Sequence, residues 1–484
     1  MAHLGSDHFL SLTRPDIHVG PSQGVVDTTT LAAHDFDVDT RTGFIPPQTP
    51  LRRLPGEWES WEVVLDAAIS QKLQLGDSPN LLQSAKDDSE SWRGRVQNLP
   101  VISIEGMNTS ETTLRRAHLV LAWIMHFYVH SLPPSAPIRI PPPITLPLLQ
   151  VSAQLQLPPV LTYSDDVLYN WHLDENTDDL PTVPTIRCQT TFTSTNDEIE
   201  FYLTSARLEL AGVDALELMR STMDEAFVGD DIAIRRITEY LRQLVDVIDR
   251  LRVMLLDVKN GCRPDIFYNT IRPWLRGEDS QGGRKWIFEG IEQDSSLVYP
   301  TELSGPSAGQ SALIHSLDNF LGIDNYGKSS KGTAEGNADS TTRASALMKR
   351  MQLYMPRHHR AFLSHLSNNP RPLRDIVLSA SSSDTNTAAG VALLDAYNAA
   401  VMALKQFRDA HMIVVTLYVV IPARRSRGAL ASPTTDEAVV DRSAASSDIP
   451  HDKGMRDSTL KGTGGTDIIQ FLKSVRDNTK EALM

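Results

Sequence analysis

Cysteine is nearly absent from this chain: Cys188 and Cys262 are the only two in 484 residues. So few thiols exclude a disulfide framework and a cysteine-rich metal site. The opening stretch MAHLGSDHFLSLTRPD has no basic segment followed by an apolar run, so no secretory signal is expected. Long hydrophobic runs are also lacking. MIVVTLYVVI, over 412–421, is about half of the roughly 20 residues that a membrane span needs. Positive charge is in deficit, with 46 Lys and Arg against 60 Asp and Glu, a net charge of -14. That excess repels polyanions and argues against nucleic acid and anionic membrane as partners. A cytoplasmic protein is the expectation.

What is present suffices for a core: 41% hydrophobic and 22% charged residues, over a length that suits two or three domains. Residues 1–50, rich in Thr, Asp, Pro and Gly, read as a flexible segment. TTLRRAHLVLAWIMHFYVHS (112–131) predicts a helix entered through an Asn108-x-x-Glu111 capping pair. LPPSAPIRIPPPITLP (132–147) predicts a proline-dense, non-helical connector, and TFTST (191–195) a short β segment. From about 197 the pattern is helical. Apolar residues at 237, 241, 244, 248, 251, 255 and 258 form one stripe of a long helix, stopped by Asn260-Gly261. Ser307-x-x-Gln310 reads as the capping box of a helix running to Gly322. A helix over 388–421 aligns Tyr397, Val401, Leu404, Arg408, His411, Val415 and Tyr418, with Pro422 just past its end. Segments 325–342 and 424–460 have the composition of disordered loops, and a last amphipathic helix follows. The expected fold class is mainly α: a smaller mixed α/β N-terminal domain over 51–190 and a larger all-helical C-terminal domain over 191–484.

His411 is the puzzle of this pattern. It sits among valines in FRDAHMIVVTLYVVIP, with Arg408 one turn earlier and no acid three or four residues away on the same face. A core histidine bonded to a carbonyl is one reading. The other is an axial haem ligand, which needs one imidazole projecting into an apolar slot and a cation for the propionates. His126 and His130 have the i,i+4 spacing of zinc ligands but no Glu between them and no evident third ligand. His358-His359 read as an exposed basic turn. Ser307, Ala308 and Gly309 are small enough to let a ligand approach the backbone at a helix start. KGTGGTD (461–467) lacks the Gly-Lys-Ser/Thr of a phosphate loop and reads as a plain linker or the hinge of a lid. Arg272, in FYNTIRPWLRG, is a surface arginine or an anchor for a ligand carboxylate. Phe201 and Ser205 share a helical face and read as a packed aromatic and a back-bonding serine.

Six blocks together resemble the indoleamine 2,3-dioxygenase family, in a fungal-type form, from about residue 100 to 484. They are LPPVLTYSDDVLYNW, IFYNTIRPWLRG, GPSAGQSALIHSLDNFLGI, YMPRHHRAFLSHL, FRDAHMIVVTLYVVIPA and KGTGGTDIIQFLKSVRDNT. The resemblance implies that the larger helical domain binds haem. It implies an oxidoreductase that inserts both atoms of O2 across the indole C2=C3 bond of L-tryptophan, giving N-formylkynurenine in the kynurenine pathway. Haem b is the implied cofactor, with His411 as proximal iron ligand and Arg408 near a propionate, Asp318 being the partner of Arg408. Ser307 and Ala308 are implied beside haem and substrate. Arg272 falls at the substrate carboxylate, Phe267 over the indole, Phe201 and Ser205 in the distal pocket, and Tyr163 and Val167 around the indole. Thr463 falls on a mobile loop that covers the amino acid. Ser205, Phe267 and Arg272 form the implied catalytic set. The implied partners are L-tryptophan, O2 and a reductant that keeps the iron ferrous, and a monomer is expected. Two positions depart from the family pattern. Asp166 stands where a small or apolar residue is usual, and Pro306 where glycine is common in animal members. Two further classes stay open: a haem-binding sensor or low-activity paralogue, including one acting on another indoleamine, and a helical scaffold without cofactor.

Overall fold

The computed structural model describes residues 36–174, 179–280, 283–323, 346–369, 372–382, 387–431, 462 and 468–484. The predicted loop 325–342 lies outside these residues, as do 432–460 and Thr463. The architecture is mainly helical, as expected, but it carries two small two-stranded sheets, one of which draws a strand from the region expected to be all-helical.

The first half begins with α1 (Glu59–Ser70), α2 (Gln83–Gln97) and α3 (Glu111–His130). Every residue of α3 from Leu114 to Val129 is buried, so this is a core helix, buried all round. Its charged and histidine members are tolerated because they find partners, although the Trp123 indole N–H has none. Arg116 makes a two-pronged pair with Glu62 at 2.8 and 2.7 Å, and His118 meets Asp165. The helix starts at the predicted place, but its cap is Ser110, whose hydroxyl accepts from Thr113 N–H. The proline-dense stretch is not all connector. It holds β1 (Ile138–Ile140) and then α4 (Pro142–Leu155). Proline at the first helical position loses nothing, because that N–H has no helical partner anyway. β1 pairs in parallel with β4 (Trp286–Phe288), while β2 (Trp171–Leu173) and β3 (Ile186–Cys188) pair antiparallel. The strand thus lies just before TFTST; that segment is a loop whose Thr195 caps the next helix.

The second half holds α5 (Asn196–Ala211), α6 (Val213–Val228), α7 (Asp231–Leu256), α8 (Ala312–Phe320), α9 (Arg357–Ser367), α10 (Leu373–Ala380), α11 (Ala388–Val415) and α12 (Ile468–Glu481). α7 buries the predicted stripe, with Ile237, Leu241, Leu244, Ile248 and Leu251 facing α11 across the core. α11 is long and apolar enough, with its continuation, to cross a membrane by composition alone. Its packing against α7 and α12 accounts for that composition in a different way: Leu393, Tyr397, Val401 and Leu404 are fully buried. The helical path does not stop at Pro422. It widens into a π turn over Thr416–Val420 and runs on to Ala431. The looser i→i+5 ladder absorbs the N–H that proline cannot supply. Helical structure therefore extends into the front of the segment predicted to be a disordered loop from 424.

Two other expectations change. Residues 36–50 are packed rather than loose, since Phe44 and Ile45 are buried. His359 is not exposed; it is buried at the start of α9, and its Nε2 lies 3.2 Å from the Asp37 carbonyl. Two apolar cores result, one around α1–α4 and one around α5–α11.

Candidate functional site

Between these cores lies a cavity lined mostly by apolar side chains. α5 presents Phe201, Ser205 and Glu209 to it, at i, i+4 and i+8 on one helical face. Ser205 does not back-bond to its helix; the neighbouring Thr204 does that, donating to the Glu200 carbonyl at 2.7 Å. Among the described residues the Ser205 hydroxyl has no hydrogen-bond partner, so it is available to a ligand. Three π turns also border the cavity. Ser164–Leu168 contributes Asp166 and Val167, Phe267–Ile271 contributes Phe267, and Thr416–Val420 contributes Tyr418 and Val419. An extra residue in a turn re-aims its side chains, which is why such turns recur at binding sites. Phe267 is the centre of an aromatic wall, 4.6 Å from Phe201 and 5.7 Å from Tyr418 between ring centroids.

Arg272 follows directly, only 6% exposed, with its guanidinium carbon 5.7 Å from the Tyr268 ring centroid. Burial, and then the neighbouring Arg276 cation, push its pKa down to about 10. A carboxylate entering the cavity would relieve that penalty. The segment with Arg272 is pinned against the loop that carries Ser307 and Ala308. A Cβ on Gly277 would lie 2.2 Å from the Leu303 carbonyl oxygen, and one on Gly305 would lie 2.0 Å from that of Leu275. Only glycine permits this back-to-back approach. Ser307 then caps a single turn, Ala308–Gln310, rather than a long helix. Gln310 does not complete a capping box. Its Nε2 donates to the Gly305 carbonyl at 3.0 Å and its Oε1 accepts from Tyr163 N–H at 2.8 Å, tying the 163–168 turn to this loop. α8 begins after Ser311.

Glu209 strengthens that tie, and the sequence reading missed it. One of its oxygens accepts from Tyr163 Oη at 3.0 Å and Ser311 Oγ at 2.6 Å, while the other has no partner. Burial raises its pKa to about 7, against the effect of those two hydrogen bonds. Its i+8 relation to Phe201 was the available signal. Asp166, 3% exposed, lines the cavity with a carboxyl oxygen that has no partner.

α11 supplies the opposite wall with Phe407, Arg408 and His411. The acid that Arg408 lacks on its own helix comes from α8, where both oxygens of Asp318 accept from its Nη2 at 2.5 and 2.6 Å. Asp318 stands behind Arg408 rather than on the wall itself. Thr479 of α12 accepts from Arg408 Nη1. His411 has no hydrogen-bond or ion-pair partner among the described residues, unlike a carbonyl-bonded core histidine. Its ring is only partly covered, yet lies deep in the protein, because what it faces is the cavity. Burial, then the Arg408 cation, push its pKa down to about 4. The imidazole is therefore neutral near pH 7, the form that ligates a metal. A neutral, unpartnered imidazole on an apolar wall has the chemistry to hold a haem iron.

The other histidines behave as structure. His126 Nδ1 is 2.7 Å from the Trp274 carbonyl and His130 Nε2 is 2.9 Å from that of Arg276. Among the described residues no cluster of three His, Cys, Asp or Glu could hold a metal ion. Of the predicted site residues, Tyr163, Val167, Phe201, Ser205, Phe267, Arg272, Ser307, Ala308, Arg408 and His411 meet on this one cavity. Gly462 reaches it too; Thr463 is outside the described residues.

The family model described as indoleamine 2,3-dioxygenase matches residues 32–482. A protein of Saccharomyces cerevisiae named indoleamine 2,3-dioxygenase is 30% identical over 460 residues, covering 92% of each chain. A human protein named indoleamine 2,3-dioxygenase 2 is 28% identical over 459 residues, covering 94% of this chain and 96% of its own. A Fusarium equiseti protein named 6-hydroxytryptophan 2,3-dioxygenase is 27% identical over 453 residues, covering 93% and 97%.

Proposed function

The chain belongs to the indoleamine 2,3-dioxygenase family of oxidoreductases, and from that premise we propose that it is a haem b enzyme converting L-tryptophan and O2 to N-formylkynurenine. The observation that carries this reading is the pairing of two groups on one apolar cavity: the partnerless imidazole of His411 and the buried cation of Arg272. His411 would hold the iron, with Arg408 and the backbone at Ser307 and Ala308 beside the cofactor. When bound, haem supplies the redox chemistry by which dioxygen is added across the indole C2=C3 bond.

The chain's own residues have the task of placement. Arg272 binds the substrate carboxylate. Phe267, Phe201, Tyr163 and Val167 hold the indole by its faces and edges. The Ser205 hydroxyl would hydrogen-bond the bound substrate. Among the described residues no histidine other than His411 lines the cavity, so no imidazole stands ready as a general base. Substrate orientation and exclusion of water carry the protein's share of the rate. One relative is named for 6-hydroxytryptophan, so the substituent on the indole is the part of the substrate left for other residues to specify.

The test is aerobic incubation of the haem-loaded protein with L-tryptophan and a reductant. Accumulation of N-formylkynurenine is expected. A protein that carries haem but forms no kynurenine-type product from any indoleamine would overturn the reading.

A further inference from the structure

We propose that Asp166 is a specificity residue that hydrogen-bonds a hydroxyl group on the benzenoid ring of the substrate, so that the preferred substrate is a ring-hydroxylated tryptophan rather than tryptophan itself. This inference rests on the indoleamine reading of the cavity.

Asp166 is an anomaly of burial. The Asp166 side chain is 3% exposed, lies on the wall of an otherwise apolar cavity, and has a carboxyl oxygen without a hydrogen-bond partner. Buried carboxyl groups almost always find partners, because an unmatched one is costly. The Asp166 carboxyl has a hydrogen-bonding interaction only with its own backbone N–H, and the hydrogen bonds of Asp166 to other residues use its backbone. Its N–H donates to the Thr162 carbonyl at 3.1 Å, and its carbonyl accepts from Asn170 Nδ2 at 3.3 Å. The adjacent acid shows what a matched site looks like here. Asp165 is bonded by His118 at 2.8 Å and by both Thr162 N–H and Thr162 Oγ1, at 2.8 and 2.7 Å. The π turn thus satisfies one acid fully and leaves the next, a residue of the cavity lining, with a carboxyl oxygen unmatched.

The chemistry of the missing partner follows from the state of the acid. Burial, then the charge of Asp165, hold the Asp166 carboxyl well above the usual carboxylate range. A neutral carboxyl group has an O–H to give and an oxygen to receive. A hydroxyl matches both at once, whereas an indole N–H meets only the acceptor. The position is also suitable. Tyr163 and Val167, on the same turn, line the same cavity, and Arg272 lies on a separate segment where it can hold the amino-acid end. A site built to bond a substrate hydroxyl discriminates strongly against the analogue without it, because its own polar group is then left unmatched.

The experiment compares L-tryptophan with 5-hydroxy-, 6-hydroxy- and 6-fluoro-L-tryptophan, the last matching the substituent's size without its donor. Both kcat/KM and anaerobic Kd by calorimetry are measured on the haem-loaded protein. The wild type is expected to favour at least one hydroxylated substrate over L-tryptophan and the fluoro analogue by about tenfold or more. Asp166→Leu should abolish that ratio while improving L-tryptophan. Asp166→Asn, which keeps a donor and an acceptor, should retain most of it and serves if the leucine variant does not fold. A wild type indifferent to the hydroxyl, or a preference that survives Asp166→Leu, overturns the proposal. Turnover of L-tryptophan without hydroxyl preference would leave the dioxygenase reading standing. Hydroxyl-selective binding without turnover would leave the specificity inference standing alone.

Discussion

Nη2 of Arg408 reaches both carboxylate oxygens of Asp318, at 2.5 and 2.6 Å, across a separation of 90 positions in the chain. Both side chains are almost wholly buried. Removing one partner strands the other charge, so Asp318→Ala is expected to cost about 3–5 kcal/mol in urea unfolding. Replacing both by apolar residues of similar size should cost less than the single change.

His411→Ala should leave the helical circular dichroism signal intact and remove the Soret band, because the only partnerless imidazole that the described residues place on the cavity wall is lost. Normal haem content in that variant would contradict the ligand assignment.

Arg272→Ala is expected to raise KM for an indole amino acid by about 10- to 100-fold, the loss of one charge-assisted contact, with a smaller effect on kcat. Binding of tryptamine, which lacks the carboxylate, should change little. Equal losses for both ligands would show that Arg272 supports the fold rather than the carboxylate.

Glu209 sets a pH dependence. Its folded pKa is raised from 4.5 to about 7. Between those values the unfolded chain has released the proton while the folded chain keeps it. Stability attributable to this group therefore falls as pH rises across that window and then levels off. Glu209→Gln should stabilise the protein at pH 7 by up to about 3 kcal/mol and have little such effect near pH 4, read from denaturant midpoints.

His118 acts in the other range. Burial alone would lower its pKa, but the charge and hydrogen bond of Asp165 raise it above 6.5. Its Nε2 also lies 3.1 Å from the Pro158 carbonyl, so both nitrogens carry hydrogen. This pairing contributes fully below pH 6.5 and is lost as pH climbs through the raised folded value. Wild type should lose stability on that alkaline limb, and His118→Gln should show no such slope.

The long elements were legible because their signals are local. The stripe from Ile237 to Leu251 is buried as its spacing requires. Boundaries were misread where a neighbour in space decided them. Gln310 was expected to serve its own helix but is recruited by Gly305 and Tyr163, and Pro422 was expected to end a helix that a π turn carries past it. His411 looked the same by periodicity as any core histidine; the family resemblance, not the spacing, selected its reading. Glu209 escaped notice because its hydrogen-bond partner Ser311 lies 102 positions away.

The contact between Gly277 and Gly305 bears on how this scaffold can diversify. With no room for even a methyl group at either position, the strip bearing Arg272 and the strip bearing Ser307 meet backbone to backbone. Side chains around that junction can be exchanged without altering the backbone approach, and the turn that carries Asp166 is fastened to the same junction through Gln310.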